Sequence, residues 1–224
     1  GSSPARDAWG VPMATDVAFA LGALALFGRH SPTGLRVFLL TLAVADDVGA
    51  IVVIAVAYSG GVHPTLVGVV LALLVPAQWL WRLEDRLHPV STLVVVPLFA
   101  LANAGLALDA DALRAAWSSR LTWAIVAGLV IGKAVGITAA VATARRFAGA
   151  RLPSGVASRH LIGGAAVAGI GFTVSLFITG LAFTDADTIA AAKLGILAGS
   201  VIAALSGAAL LLAAGRRERA APTA

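Results

Sequence analysis

The chain contains no cysteine, one methionine and one tyrosine, and only 12% of its residues are charged. Without cysteine there are no disulfides, thiolate zinc sites or cysteine nucleophiles. The shortage of charge excludes a soluble domain, because an average soluble chain carries roughly 25% charged residues and needs them for its surface. A basic stripe of the kind that binds nucleic acid is also missing. The 16 basic residues outnumber the 11 acidic ones by a formal +5, but they lie between apolar runs rather than along one face. What remains is a 224-residue chain that is 59% hydrophobic. That is the composition of a multi-spanning membrane protein.

A spanning helix needs about 20 mainly apolar residues. Seven stretches meet or approach that length: 10–28, 35–57, 62–77, 90–108, 121–143, 160–183 and 189–213. The third is short and opens on His63-Pro64, which suits a helix start. Barrel strands would alternate over about ten residues, whereas these runs are longer and continuous. The expected fold is all-α, a polytopic helix bundle forming one transmembrane domain over residues 1–224. The opening Gly1-Ser2-Ser3-Pro4 lacks an initiator methionine and reads as the cut edge of something longer or as processing.

Orientation follows from arginine. With seven crossings, one side collects Arg29, Arg36, Arg82, Arg86, Arg145, Arg146, Arg151, Arg159, Arg216, Arg217 and Arg219. The other side holds Arg6, Arg114 and Arg120, together with Asp109, Asp111, Asp185 and Asp187. The positive-inside rule then puts the C-terminus in the cytoplasm.

The clearest charges inside the apolar runs are Asp16, Asp46, Asp47 and Lys133. Each costs roughly 2.5–3.5 kcal/mol to insert and therefore needs a reason. Adjacent helical residues point about 100° apart, so Asp46 and Asp47 cannot both face one seam. One can face a cavity while the other meets a cation from a neighbouring helix. Two readings are open: a structural Asp–Lys pair that orients two helices, or a cation pathway. Three acids against one base leave excess negative charge, which favours the pathway.

Two runs also carry helix breakers near their middles. The first reads Gly10-Val11-Pro12-Met13-Ala14-Thr15-Asp16, the sixth Ala168-Gly169-Ile170-Gly171-Phe172-Thr173. Broken helices at membrane depth free backbone groups and present partial charges of about half a unit at their ends. Asp16 and Lys133 have the signs to neutralise such ends. Gly169 and Gly171 read equally as close-packing residues, since glycine is common in membrane helices for that reason.

These residues also form recognisable blocks. Ala14-Thr15-Asp16-Val17-Ala18-Phe19-Ala20-Leu21-Gly22, Leu42-Ala43-Val44-Ala45-Asp46-Asp47-Val48-Gly49, Gly61-Val62-His63-Pro64 and Leu83-Glu84-Asp85-Arg86-Leu87-His88-Pro89 resemble the NhaA-type sodium/proton antiporters. So do Pro97-Leu98-Phe99-Ala100-Leu101-Ala102-Asn103-Ala104-Gly105, Gly132-Lys133-Ala134-Val135-Gly136, Gly169-Ile170-Gly171-Phe172-Thr173-Val174-Ser175 and Ala192-Lys193-Leu194-Gly195. The blocks follow the family's order over nearly the whole chain. The resemblance implies an inverted-repeat fold with discontinuous helices in a bacterial inner membrane. It implies a secondary transporter, not an enzyme, that exchanges cytoplasmic Na⁺ or Li⁺ for a larger number of external protons in pH and sodium homeostasis.

It also implies roles. Asp47 would be the principal sodium and proton carboxylate, and Asp46 a neighbour that exchanges a proton or pairs with Lys133. Thr15 would offer oxygen to the ion. Asp16 would balance positive half-helix ends and Lys133 negative ones, at the breaks marked by Gly169 and Gly171. Glu84, His88 and His63 become candidates for pH sensing, although His63 beside Pro64 also reads as a cap or surface residue. No cofactor is implied; the partners are Na⁺ or Li⁺, protons and the lipid bilayer, with a homodimer left open and no nucleic acid.

The departures are specific. By family order, the spans preceding the first broken helix are absent, and the match jumps from about Tyr58 to Gly61-Val62-His63, skipping two more. Asp85 stands where the family often has His. An inactive fragment or remnant of such an antiporter is therefore the alternative. An intramembrane aspartyl protease using Asp16 and Asp46 as a dyad is a further one, weakened because neither residue sits in a Gly-x-Gly-Asp context and Lys133 would be surplus.

Overall fold

The structure is a computed structural model that describes residues 8–28, 31–54, 86–87, 89–103, 105 and 110–220. Among these residues every regular element is helical. A 3₁₀ turn at Ala8–Gly10 precedes α1 (Val17–Phe27) and α2 (Thr33–Val53). A π-helical turn, Ser91–Val95, leads into α3 (Val96–Asn103). There follow α4 (Ala110–Ser118), α5 (Arg120–Ala127), α6 (Lys133–Phe147), α7 (Ser158–Val167), α8 (Phe172–Ala182) and α9 (Ala186–Ala220). The expected span at 62–77 lies outside the described residues.

Among the described residues two continuous rods are long and apolar enough to cross a membrane. One is Arg120–Phe147, formed by α5 and α6 joined through a π-helical turn at Gly128–Gly132; the other is Ala186–Arg217 within α9. The pair α7 and α8, bent by 47°, passes the same test as one broken span. With 35 residues, α9 is about 52 Å long and exceeds a hydrocarbon core of roughly 30 Å. Helices α1, α7 and α8 hold 11, 10 and 11 residues. At about 1.5 Å per residue each covers roughly half that thickness.

The breaks follow from local chemistry. Pro12 has no amide hydrogen and cannot continue a helix; the chain turns at Val11–Met13 and stays irregular through Ala14–Asp16, with Asp16 itself extended, before α1 begins. Between α7 and α8, Gly169 and Gly171 let strands of backbone pass where no side chain fits. A Cβ on Gly169 would lie 2.4 Å from the Leu129 carbonyl oxygen, and one on Gly171 2.7 Å from Leu129 Cδ2 and 3.0 Å from the Ala14 carbonyl oxygen. Gly128, at the start of the π-helical turn, similarly admits the Pro12 ring at 2.9 Å from its absent Cβ. The π-helical turn widens the rod there, just ahead of Lys133.

The buried apolar residues form two cores. One joins Val11, Ile125, Leu129, Leu176, Ile178 and Ile196. The other joins Leu24, Leu35, Leu39, Val167, Ile170 and Leu211. Helix α9 spans both, packing chiefly on α7 and α5. Much of the outer surface is apolar too, with Leu26, Val37, Val44, Val135 and Leu205 exposed, as helices facing hydrocarbon require. Several buried polar side chains, Thr15, Asp16, Lys133 and Ser175 among them, gather where the two breaks cross.

Candidate functional site

The site begins with Asp16. As the N-cap of α1 it accepts a hydrogen bond on Oδ1 from the Phe19 amide at 3.3 Å. Its Oδ2 accepts from the Thr173 amide at 3.0 Å, in the first turn of α8. One carboxylate therefore closes two helix N-termini, each carrying about half a positive charge. The backbone reinforces the crossing, because the Asp16 amide donates to the Ile170 carbonyl at 2.6 Å. The residue is 4% exposed.

Thr15, also buried, connects the crossing to α2. Its Oγ1 is 2.5 Å from Asp46 Oδ2 and 3.0 Å from the Ala168 carbonyl oxygen. A hydroxyl carries one proton, so it donates to one of these acceptors at a time. Lys133 Nζ donates to Thr15 Oγ1 and, at 3.0 Å, to Asp46 Oδ2. The ammonium is 9% exposed and the carboxylate 22%. Lys133 thus touches the freed carbonyl end of α7 through Thr15 rather than directly.

Asp47 points elsewhere. It is half-buried and, among the described residues, makes no hydrogen bond or ion pair, yet it lies within reach of the charges on Asp46, Asp16 and Lys133. Helix geometry explains the split: turning Asp46 toward Lys133 rotates its neighbour about 100° away. Asp46 is partly neutralised by Lys133, and Asp16 by two helix ends. Asp47 is left with its full capacity for a proton or a cation. Carboxylate oxygens suit both, since Na⁺ is a hard cation. Among the described residues no group of three or more His, Asp or Glu side chains is arranged as a metal centre. Asp16 and Asp46 bond to different partners rather than to each other, which is not the arrangement of an aspartyl dyad.

Thr15, Asp16, Asp46, Lys133, Gly169 and Gly171 therefore meet at the crossing, with Asp47 at its edge. Glu84, His88 and His63 lie outside the described residues. Some participants carry weaker sequence signals. Ser175 and Ser200 reach the crossing from α8 and α9, but a serine in an apolar run looks like any small packing residue. Lys193, a further charge inside an apolar run, donates to the Gly105 carbonyl at 3.3 Å beyond the end of α3; its charge was the available signal.

The family model described as Na+/H+ antiporter 1 matches residues 1–61 and 58–211. The chain belongs to this antiporter family. It is 39% identical to Na(+)/H(+) antiporter NhaA 3 of Frankia alni over 299 residues, covering 96% of this chain and 65% of that relative. It is 35% identical to NhaA 1 of Clostridium beijerinckii, covering 93% and 66%, and 40% identical to NhaA of Sodalis glossinidius, covering 95% and 67%. The chain thus spans about two thirds of the length of the curated relatives it matches. The Frankia match runs over 299 positions against 224 residues, so at least 75 of them, the excess of one over the other, fall opposite gaps in this chain. The two pieces of the family match overlap at 58–61.

Proposed function

We propose that the chain exchanges Na⁺ or Li⁺ against protons across a membrane, with Asp47 as the carboxylate that takes either cation or proton. The observation that carries this is the inequality of the three acids. Asp16 is engaged by two helix N-termini and Asp46 by Lys133, while Asp47 has no hydrogen-bonding partner among the described residues. A net negative charge at the meeting of two broken helices attracts a cation, and competition for the same oxygens couples cation to proton. The family membership and the NhaA names of the relatives support the same reading.

In this reading Thr15 supplies a hydroxyl oxygen to the ion. Asp46 exchanges its own proton or holds Lys133, and Lys133 stands in for the cation when the site is empty. Where more protons than sodium ions move per cycle, each net charge crossing is worth about 2.3 kcal/mol per 100 mV, so the membrane potential drives sodium out. In this reading the C-terminus is cytoplasmic, on the side that collects most of the arginines, and the protein is a transporter rather than an enzyme. It uses no cofactor beyond its transported ions.

The test is sodium-driven proton movement in everted vesicles from bacteria lacking their own sodium antiporters. Vesicles carrying this chain should release their proton gradient on adding Na⁺ or Li⁺, and Asp47→Asn should abolish the response. Asparagine keeps the shape and one oxygen but loses the charge. Normal exchange in Asp47→Asn would assign the chemistry to another carboxylate, and no exchange by the parent chain would remove the transport reading.

A further inference from the structure

The crossing of the broken helices must hold its freed backbone groups in register, and Thr15 and Asp16 do only part of this. At Val11 the chain leaves the opening 3₁₀ turn, and its carbonyl enters no helical ladder. It lies in the apolar core, with Val11 itself wholly buried. An unpaired carbonyl there would carry a full desolvation penalty. Ser175 Oγ, also wholly buried, donates to it at 2.6 Å across 164 residues of sequence. Among the described residues this is the hydrogen bond that the Val11 carbonyl receives. The route is open only because Gly171 has no side chain: a Cβ there would lie 2.6 Å from Ser175 Oγ.

The second break has a matching group. Gly171 leaves an amide free between α7 and α8, and it donates to Ser200 Oγ of α9 at 3.3 Å. Ser200 is 8% exposed. The two serines thus sit on different helices and reach opposite kinds of freed group, a carbonyl in one break and an amide in the other. The ion site touches the same segments, because Thr15 bonds Ala168 and Asp16 bonds Thr173.

We propose that Ser175 and Ser200 are positioning residues, Ser175 pinning the two breaks to each other and Ser200 anchoring the second break to α9, and that they so set the distance between Asp16, Thr15 and the Asp46–Lys133 pair. Ser175 is the stronger clamp, by its shorter bond and complete burial. Its effect on sodium binding rests on the transport reading above; its effect on the crossing does not. A hydroxyl can hold this place where a charge cannot, since it satisfies a backbone group without changing the electrostatic balance of the site.

The experiment compares the full chain with Ser175→Ala, Ser200→Ala and Thr179→Val. Thr179 is an internal control: its wholly buried hydroxyl donates at 2.8 Å to the Ser175 carbonyl within α8, and it bridges no break. Hydrogen exchange read by mass spectrometry should quicken about tenfold for backbone amides of segments 11–16 and 168–175 in Ser175→Ala, as loss of one buried hydrogen bond permits. Ser200→Ala should give a smaller acceleration in 168–175, and Thr179→Val should leave both segments at the parent rate. Ser175→Thr, which keeps the donor, should restore slow exchange if it folds. Equal exchange in the parent, Ser175→Ala and Ser200→Ala would overturn the proposal, as would an equal acceleration in Thr179→Val.

Radioactive ²²Na⁺ binding to the same purified proteins gives the second readout. Half-saturation should rise roughly five- to tenfold in Ser175→Ala, while the number of sites stays the same. Absence of sodium binding by the parent chain would defeat the transport reading and leave the exchange result to decide the role of the serines. Faster exchange in Ser175→Ala with unaltered sodium half-saturation would overturn the link between clamp and site.

Discussion

Asp16 Oδ2 lies 3.0 Å from the amide of Thr173, 157 residues away, while its Oδ1 caps its own helix. The same carboxylate therefore serves α1 and α8. Replacing it with alanine should remove a cap at one helix and a charge at both. A lost cap typically amounts to about 1 kcal/mol, and a charge at a helix end adds 0.3–1 kcal/mol, so Asp16→Ala should lower stability by roughly 2 kcal/mol. Asp16→Asn should lose less, since its amide oxygen still accepts one bond. Thermal unfolding in detergent, followed by tryptophan fluorescence, measures both variants. Unfolding of Asp16→Ala at the parent temperature would show that the double cap contributes nothing.

Lys133 and Asp46 form a mutual dependence at 3.0 Å. Lys133→Met leaves a carboxylate facing an apolar rod. Removing one partner of a buried pair costs about 3–5 kcal/mol, and the lower end applies because Asp46 is 22% exposed. Combining Lys133→Met with Asp46→Asn should recover most of that loss. A double-mutant cycle on unfolding free energy checks this, and additive single effects would mean that the pair is not coupled.

The glycine positions divide by what surrounds them. Gly169→Ala would drive a Cβ to 2.4 Å from the Leu129 carbonyl and 3.0 Å from that of Ala166. Backbone on both sides cannot yield cheaply, so the loss should be about 1–3 kcal/mol or more. Gly22→Ala, with nothing within 4 Å of the added Cβ, should be neutral or stabilising by up to about 1 kcal/mol through helix propensity. Folded yield and melting temperature should rank Gly22→Ala at or above the parent and Gly169→Ala below it.

Asp185, fully exposed in the turn before α9, accepts from the Thr188 hydroxyl at 2.6 Å and from its amide at 2.9 Å. These bonds hold its carboxyl below the ordinary carboxylate range. A depressed folded-state pKa contributes stability above the unfolded value of about 3.9, lost as pH falls through the folded pKa beneath it. The start of α9 should therefore stay protected down to about pH 4 and fray below that. Thr188→Ala should move the carboxyl titration upward and begin the fraying at higher pH. Hydrogen exchange of segment 185–190 across acidic pH reads both effects.

Much of this molecule was legible locally. Long apolar runs specify helices, and the lack of charge requires that hydrocarbon rather than water face them. Pro12 and the Gly169–Gly171 pair mark the breaks because one lacks an amide hydrogen and the others lack a Cβ. Four charges among apolar residues announce a shared site, since none of them is tolerable alone. All of these follow from properties of neighbouring residues in the chain.

Tertiary structure decided the partners. Adjacent Asp46 and Asp47 are equivalent in sequence, and only the rotation of α2 against the rod containing Lys133 assigns the ion pair to one and leaves the other open. Asp16 reads as a charge that balances a positive half-helix end, but its bond to the Thr173 amide exists because α8 begins beside it. Ser175 has no local feature separating it from a packing residue; its role comes from a carbonyl 164 positions away and a glycine that leaves the path clear. The physical reason is the same throughout. Backbone propensity and hydropathy act over a few residues, whereas the azimuth of a helix is fixed by close packing against elements remote in sequence, and that azimuth selects which polar groups meet.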